Sequence, residues 1–270
     1  LMDIKVANNV YFNEDTAIET IDFNDYSATL HVATGKTLTG SPTGDTSSAT
    51  AVAGTLRLNG SATFAGTASS ISTIEGATLN STTCTIGAGD HSVTEVQILH
   101  AGGTIEFADG ANIGVDGAGN GGAINSTGGL AGSLTFLGSS TIDGTVGANT
   151  APSTITISGT GTVAFSDTVA ATTLNISDGT TSFASTVAAT EINLSGDAYV
   201  SAADAITGDL NINGASQIVK TNGNASITGN VTLNSTNPGT SSIQSVIQGS
   251  LTVSNGNLNM RNVNASSVIV

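Results

Sequence analysis

The sequence predicts an all-β chain wound as a right-handed parallel β-helix, with about three short strands in each turn of 18 to 21 residues. Three observations lead there. The chain restates itself at an interval of 18 residues near its centre, apolar pairs spaced one residue apart recur along nearly its whole length, and the composition disfavours long helices.

The restatement fixes the coil. Phe165, Thr168, Val169, Ala170, Ala171, Thr172, Asn175 and Ser177 return as Phe183, Thr186, Val187, Ala188, Ala189, Thr190, Asn193 and Ser195. Residues at that interval are expected to lie one above another, because like side chains stack well on like. Phe165 over Phe183 would form an interior aromatic step, and Asn175, Asn193 and Asn211 an outward ladder of amides.

The strands follow from alternation. Val10/Phe12, Leu30/Val32, Leu56/Leu58, Ile105/Phe107, Leu134/Phe136, Ile155/Ile157, Leu174/Ile176, Ile192/Leu194, Leu210/Ile212, Val231/Leu233 and Leu251/Val253 each place two apolar side chains on one face of an extended segment. From Leu134 onward the first members are separated by 21, 19, 18, 18, 21 and 20 residues, which is repetition with small insertions. Within one unit, Val163/Phe165, Val169/Ala171 and Leu174/Ile176 form three clusters, hence three strands per turn. Turn-forming Gly, Asn, Asp and Ser follow the pairs in "LNISDG", "INLSGD", "LNINGA" and "LTVSNG". Some twelve turns at about 4.8 Å each give a rod roughly 55 Å long. A β-propeller would need blades of about forty residues with large aromatic signatures, which are missing.

Composition narrows the class further. The chain has 270 residues, no Trp, three Pro, 4% aromatic and 9% charged residues. Leu, Ile, Val and Phe number 64 and stand in phase, which argues against a disordered Ser/Thr-rich linker. The whole chain reads as one solenoid unit, with irregular turns over 1–130 and regular ones over 131–270. The stretches 40–54 and 109–129, rich in Gly and small polar residues, are expected to leave the stack as loops.

The net charge of −15, with only Lys5, Lys36, Arg57, Lys220 and Arg261 basic, disfavours nucleic acid and anionic lipid surfaces as partners. Cys84 is the single cysteine, which excludes an internal disulfide and a cysteine-built zinc site. No apolar run approaches eighteen residues, so no membrane span is expected, and the opening "LMDIKVANNV" lacks the pattern of a signal peptide. An exported protein with this sequence would be a processed product or an excised segment.

Catalysis on such a scaffold needs carboxylates clustered with Arg or Lys on one face. No Lys or Arg occurs between Arg57 and Lys220, and no G-x-S-x-G is present, so no catalytic residue and no cofactor-binding residue is assigned and the chain reads as non-enzymatic. Glu14, Asp15, Glu19, Asp22 and Asp25 form the densest acidic stretch, without the spacing of an EF-hand loop. Asp109 and Asp116, in "DGANIGVDGAGNGG", are the candidates for calcium, although the glycine-and-aspartate phrase does not recur. His31, His91 and His100 lack paired metal-ligand spacing.

The phrases "TVAATTLNISDGTTSFASTVAATEINLSG", "ITGDLNINGA" and "ITGNVTLNST" resemble the passenger domains of bacterial autotransporters. The likeness is nearest to the rickettsial outer-membrane surface antigens, with their alternating "F-x-x-x-V-x-A" and "G-x-V-T-L-N" phrases, and it covers about residues 130 to 256. The resemblance implies a bacterial cell-surface protein exported through the outer membrane, acting as scaffold and adhesin toward a host-cell surface or matrix protein. It transfers no binding residue. The alternative is a surface-layer or filament subunit whose partner is another copy of itself, and electron microscopy separates dispersed rods from fibres or lattices.

Overall fold

The structure is a computed structural model and describes residues 4–6, 8–23, 28–44, 54–114, 123–127, 131–213, 218–221, 226–235, 240–260 and 265–270. Every element among them is a β-strand, and every ladder is parallel. The expected solenoid is therefore present, and its strands stack on three faces.

The first face runs through Val10–Phe12, Thr29–Val32, Thr55–Leu58 and Ala123–Ser126. Isolated bridges carry it through Val146 to Val169. The second face includes Thr83–Ile86, Thr104–Phe107, Ser133–Phe136, Thr154–Ile157, Val231–Asn234 and Ser250–Asn255. The third includes Ala111–Gly114, Ser140–Ile142, Thr162–Phe165, Thr180–Phe183 and Tyr199–Ala202.

The spacing read from the sequence is the axial register. Leu134 pairs with Ile155, Ile155 with Leu174, Leu174 with Ile192, Ile192 with Leu210, Leu210 with Val231 and Val231 with Leu251. Along the second face the shortest step, Ser250 to Ser267, is 17 residues, and the longest, Thr104 to Ser133, is 29. The step from Thr37 to Thr63 is 26.

Those two long steps contain the two stretches expected to be loops, but the extra chain is shorter than expected. Thr37–Thr43, Ala111–Gly114 and Ala123–Ser126 are strands. Residues 45–53 and 115–122 lie outside the described residues.

The three apolar clusters of each unit occupy three faces, yet the second and third belong to one continuous strand. Val169–Ile176 and Val187–Leu194 each run unbroken for eight residues and pair along their length. Inward side chains alternate as Val169, Ala171, then Leu174, Ile176, so the phase slips at Thr172–Thr173, where both point outward. A strand has a side-chain period of two, and two successive outward residues turn it onto a new face. In the next coil Ile206–Ile212 is one residue shorter at the corner, with a register shift between Ala188 and Glu191. Gly208 fills that corner at φ +130°, where a Cβ would stand 1.8 Å from the Ala189 carbonyl oxygen.

The core is a single column of apolar side chains. Phe107 stacks on Phe136 with centroids 4.8 Å apart, Phe136 meets Phe165 edge-on at 5.6 Å, and Phe165 stacks on Phe183 at 5.2 Å. This file crosses from the second face to the third and extends the expected aromatic step. Offset stacked and edge-to-face contacts both suit the ring quadrupole.

Candidate functional site

The third face carries an open groove of about 840 Å³ that crosses four successive coils. Its lining includes Thr67 and Ser69 on one coil, Asp90 and Ser92 on the next, Asn112 and Gly114 on the third, and Thr141 and Asp143 on the fourth. The fold brings these together because outward positions stack. Asp90 pairs in register with Asn112, and Ile113 pairs with Ile142, which sets Asn112 beside Thr141.

Hydrogen bonds hold the polar groups in place. The Asn112 side-chain amide donates to Asp90 Oδ1 at 2.8 Å, and its Oδ1 accepts the Thr141 backbone N–H at 2.9 Å. The Ser166 hydroxyl donates to Asp143 Oδ1 at 2.8 Å. The Ser92 hydroxyl oxygen is sealed from solvent and has no partner among the described residues.

Beneath the groove lies His91, fully buried. Its Nε2 donates to the Gly87 carbonyl at 2.9 Å while its Nδ1 accepts the Ala68 backbone N–H at 3.3 Å, and its ring tilts against Phe64. This pattern requires the neutral Nε2–H tautomer. Burial lowers its pKa, against smaller upward pulls from the Gly87 carbonyl and the Asp90 carboxylate.

Two outward ladders run along the other two faces. On the second face Asn193 donates to Asn175 at 3.0 Å and Asn211 donates to Asn193 at 3.0 Å, as the spacing predicts, while Asn211 also reaches Glu191 at 2.8 Å. On the first face Tyr11, His31, Arg57, Glu75, Gln97 and Asn125 stand in one column over six coils. Tyr11 stacks on His31 at 4.3 Å, and Arg57 pairs with Glu75. The His31 pKa is lowered, chiefly by burial and then by Arg57, with Glu75 opposing.

The residues singled out in the sequence separate into different environments. Asp109 is exposed, and its Oδ1 accepts the Ser139 backbone N–H at 2.7 Å, so it caps the next coil. Asp116 lies outside the described residues, as does Asp25. Glu14 pairs with Lys36 at 2.9 Å, which raises the lysine pKa through the hydrogen bond and the nearby charge. Asp15 Oδ1 accepts the Thr37 backbone N–H at 2.8 Å. His31, His91 and His100 are not brought together, and among the described residues no three His, Cys, Asp or Glu side chains converge in a metal-holding group. The Cys84 thiol is buried, its sulfur accepts the Ala77 backbone N–H at 3.2 Å, and burial pushes its pKa up to about 11.

Sequence reasoning missed the groove. Asp90, Asn112 and Thr141 stand 22 and 29 residues apart, and that unequal interval conceals the column. No helix among the described residues is long and apolar enough to cross a membrane. Compared with known proteins, the chain matches no family model, no curated protein and no solved structure.

Proposed function

We propose that the chain is a non-enzymatic scaffold and adhesive module of a bacterial cell surface, a passenger-like solenoid exported through the outer membrane. The observation that supports this most is the bonding of outward polar side chains to neighbouring coils along the axis. Asn175, Asn193 and Asn211 bond to one another, and Asp109 and Asp15 spend an oxygen on the backbone of a neighbouring coil. Polar groups used in this way stiffen a surface and leave its shape, repeated every coil, as the feature a partner meets.

The electrostatics agree with this reading. Lys36 and Arg57 are each committed to a carboxylate, and the chain has only three other basic residues against a net charge of −15, which disfavours an anionic polymer as partner. The test is binding of the purified protein to cultured animal cells and to plates coated with fibronectin, laminin or collagen. Saturable binding to at least one is expected. Its absence from all removes the adhesive role and leaves the scaffold.

A further inference from the structure

We propose that the groove on the third face is a binding site for an uncharged, hydroxyl-rich oligosaccharide. The inference names a ligand class for the adhesive reading above and rests on it.

The shape comes first. Three axial steps separate Ser69 from Asp143, so the groove runs about 14 Å along the solenoid axis, long enough for several linked sugar rings. Gly89 and Gly114 keep its walls low. Gly89 has φ +128°, and a Cβ there would meet Thr67 Cγ2 at 2.5 Å, whereas a Cβ on Gly114 would find nothing nearer than Asp143 Oδ2 at 3.8 Å. A flat ring can therefore approach the backbone at Gly114.

The chemistry of the lining selects the ligand. Asp90 and Asp143 each use Oδ1 within the protein, which orients the carboxylate and leaves Oδ2 as an acceptor at the groove. Preorganised acceptors of this kind favour binding because little order remains to be imposed. A ligand must bring donors to meet them, and sugar hydroxyls are donors that can also accept. The exposed hydroxyls of Thr67, Ser69 and Thr141 rotate to serve either role.

Other ligand classes fit worse. No Lys or Arg lines the groove, and the chain carries a charge of −15, so sulfated, phosphorylated or uronic ligands are repelled. The lining contains only two carboxylates, short of the oxygen set a hard cation needs. An apolar ligand would cover Oδ2 of both Asp side chains without bringing a donor to it.

The experiment titrates maltohexaose, cellohexaose, N-acetylchitohexaose and mannohexaose, with hexagalacturonate and chitosan hexamer as charged counterparts. At least one neutral hexasaccharide should bind the wild-type protein and stay bound in about 0.5 M NaCl, where charge attraction is screened. Hexagalacturonate should not bind. Gly114→Phe, whose Cβ would meet only Asp143 Oδ2 at an ordinary 3.8 Å, should weaken the neutral ligand at least tenfold with an unchanged melting temperature. Asp143→Ala, at an exposed site, should weaken it about tenfold through loss of an acceptor.

The proposal is overturned if no neutral hexasaccharide binds, if both variants bind as the wild type does, or if chitosan alone binds and salt abolishes it. Its failure is separable from that of the adhesive role. Gly114→Phe protein that still adheres to cells, with no glycan bound by the wild type, removes the groove and keeps the adhesin. A glycan held in the groove by protein that adheres to no cell or matrix does the reverse.

Discussion

Asn193 occupies the middle of an amide ladder, donating to Asn175 Oδ1 and accepting from Asn211, each at 3.0 Å. Parallel stacking places identical side chains at one height per coil, so each amide meets a partner of its own shape. Asn193→Ala removes two half-exposed hydrogen bonds, and a loss of about 1–2 kcal/mol is expected in urea unfolding. A loss under a few tenths would show that water replaces the ladder at no cost.

Phe165 joins the two parts of the aromatic file, edge-on to Phe136 and stacked on Phe183. Phe165→Ala opens a cavity where the file changes face, and about 3–5 kcal/mol of destabilisation is expected. Phe165→Leu restores most of the volume and should recover more than half of that loss in the same denaturation series.

How much of this was legible depended on interval. The second-face column from Leu134 to Leu251, the Phe165–Phe183 step and the asparagine ladder all fall in stretches where coils differ by three residues or fewer, so periodicity in the sequence equals stacking in space. Val10, Leu30 and Leu56 look like earlier members of that series but stack on the first face, while Ile105 stacks on the second. Alternating apolar pairs are the same on every face, and insertions erase the phase that would tell them apart. The groove was hidden for the same reason. In sequence the corner at Thr172–Thr173 looks like a break between strands because alternation fails there, although one strand runs through it and the pairing resumes at Thr173.

Thr181 breaks the apolar column. It is stacked between Val163 and Val200, has no measurable exposure, and its hydroxyl finds no partner among the described residues. A buried unsatisfied hydroxyl is unfavourable, and Val has nearly the same shape. Thr181→Val is expected to stabilise the protein by about 1 kcal/mol, read as a higher urea midpoint at unchanged slope.

His91 makes stability depend on pH. The fold holds the neutral ring, and burial depresses its pKa below the ordinary 6.5. The unfolded chain therefore binds the extra proton more readily, so the contribution is complete above about pH 6.5 and is lost as pH falls toward the depressed folded value. Melting temperatures between pH 7.5 and pH 5 should fall more steeply for the wild type than for His91→Gln. Parallel curves would refute the assignment.

The axial direction of the backbone bonds has a mechanical side. Each coil is fastened only to the coils before and after it, through bonds that lie along the rod, as in Ile157 to Ile176 and Ile176 to Leu194. A pull at the two ends loads these fastenings singly, and the chain would pay out in lengths of one coil, as yarn leaves a bobbin. Such a body yields by degrees under traction rather than all at once.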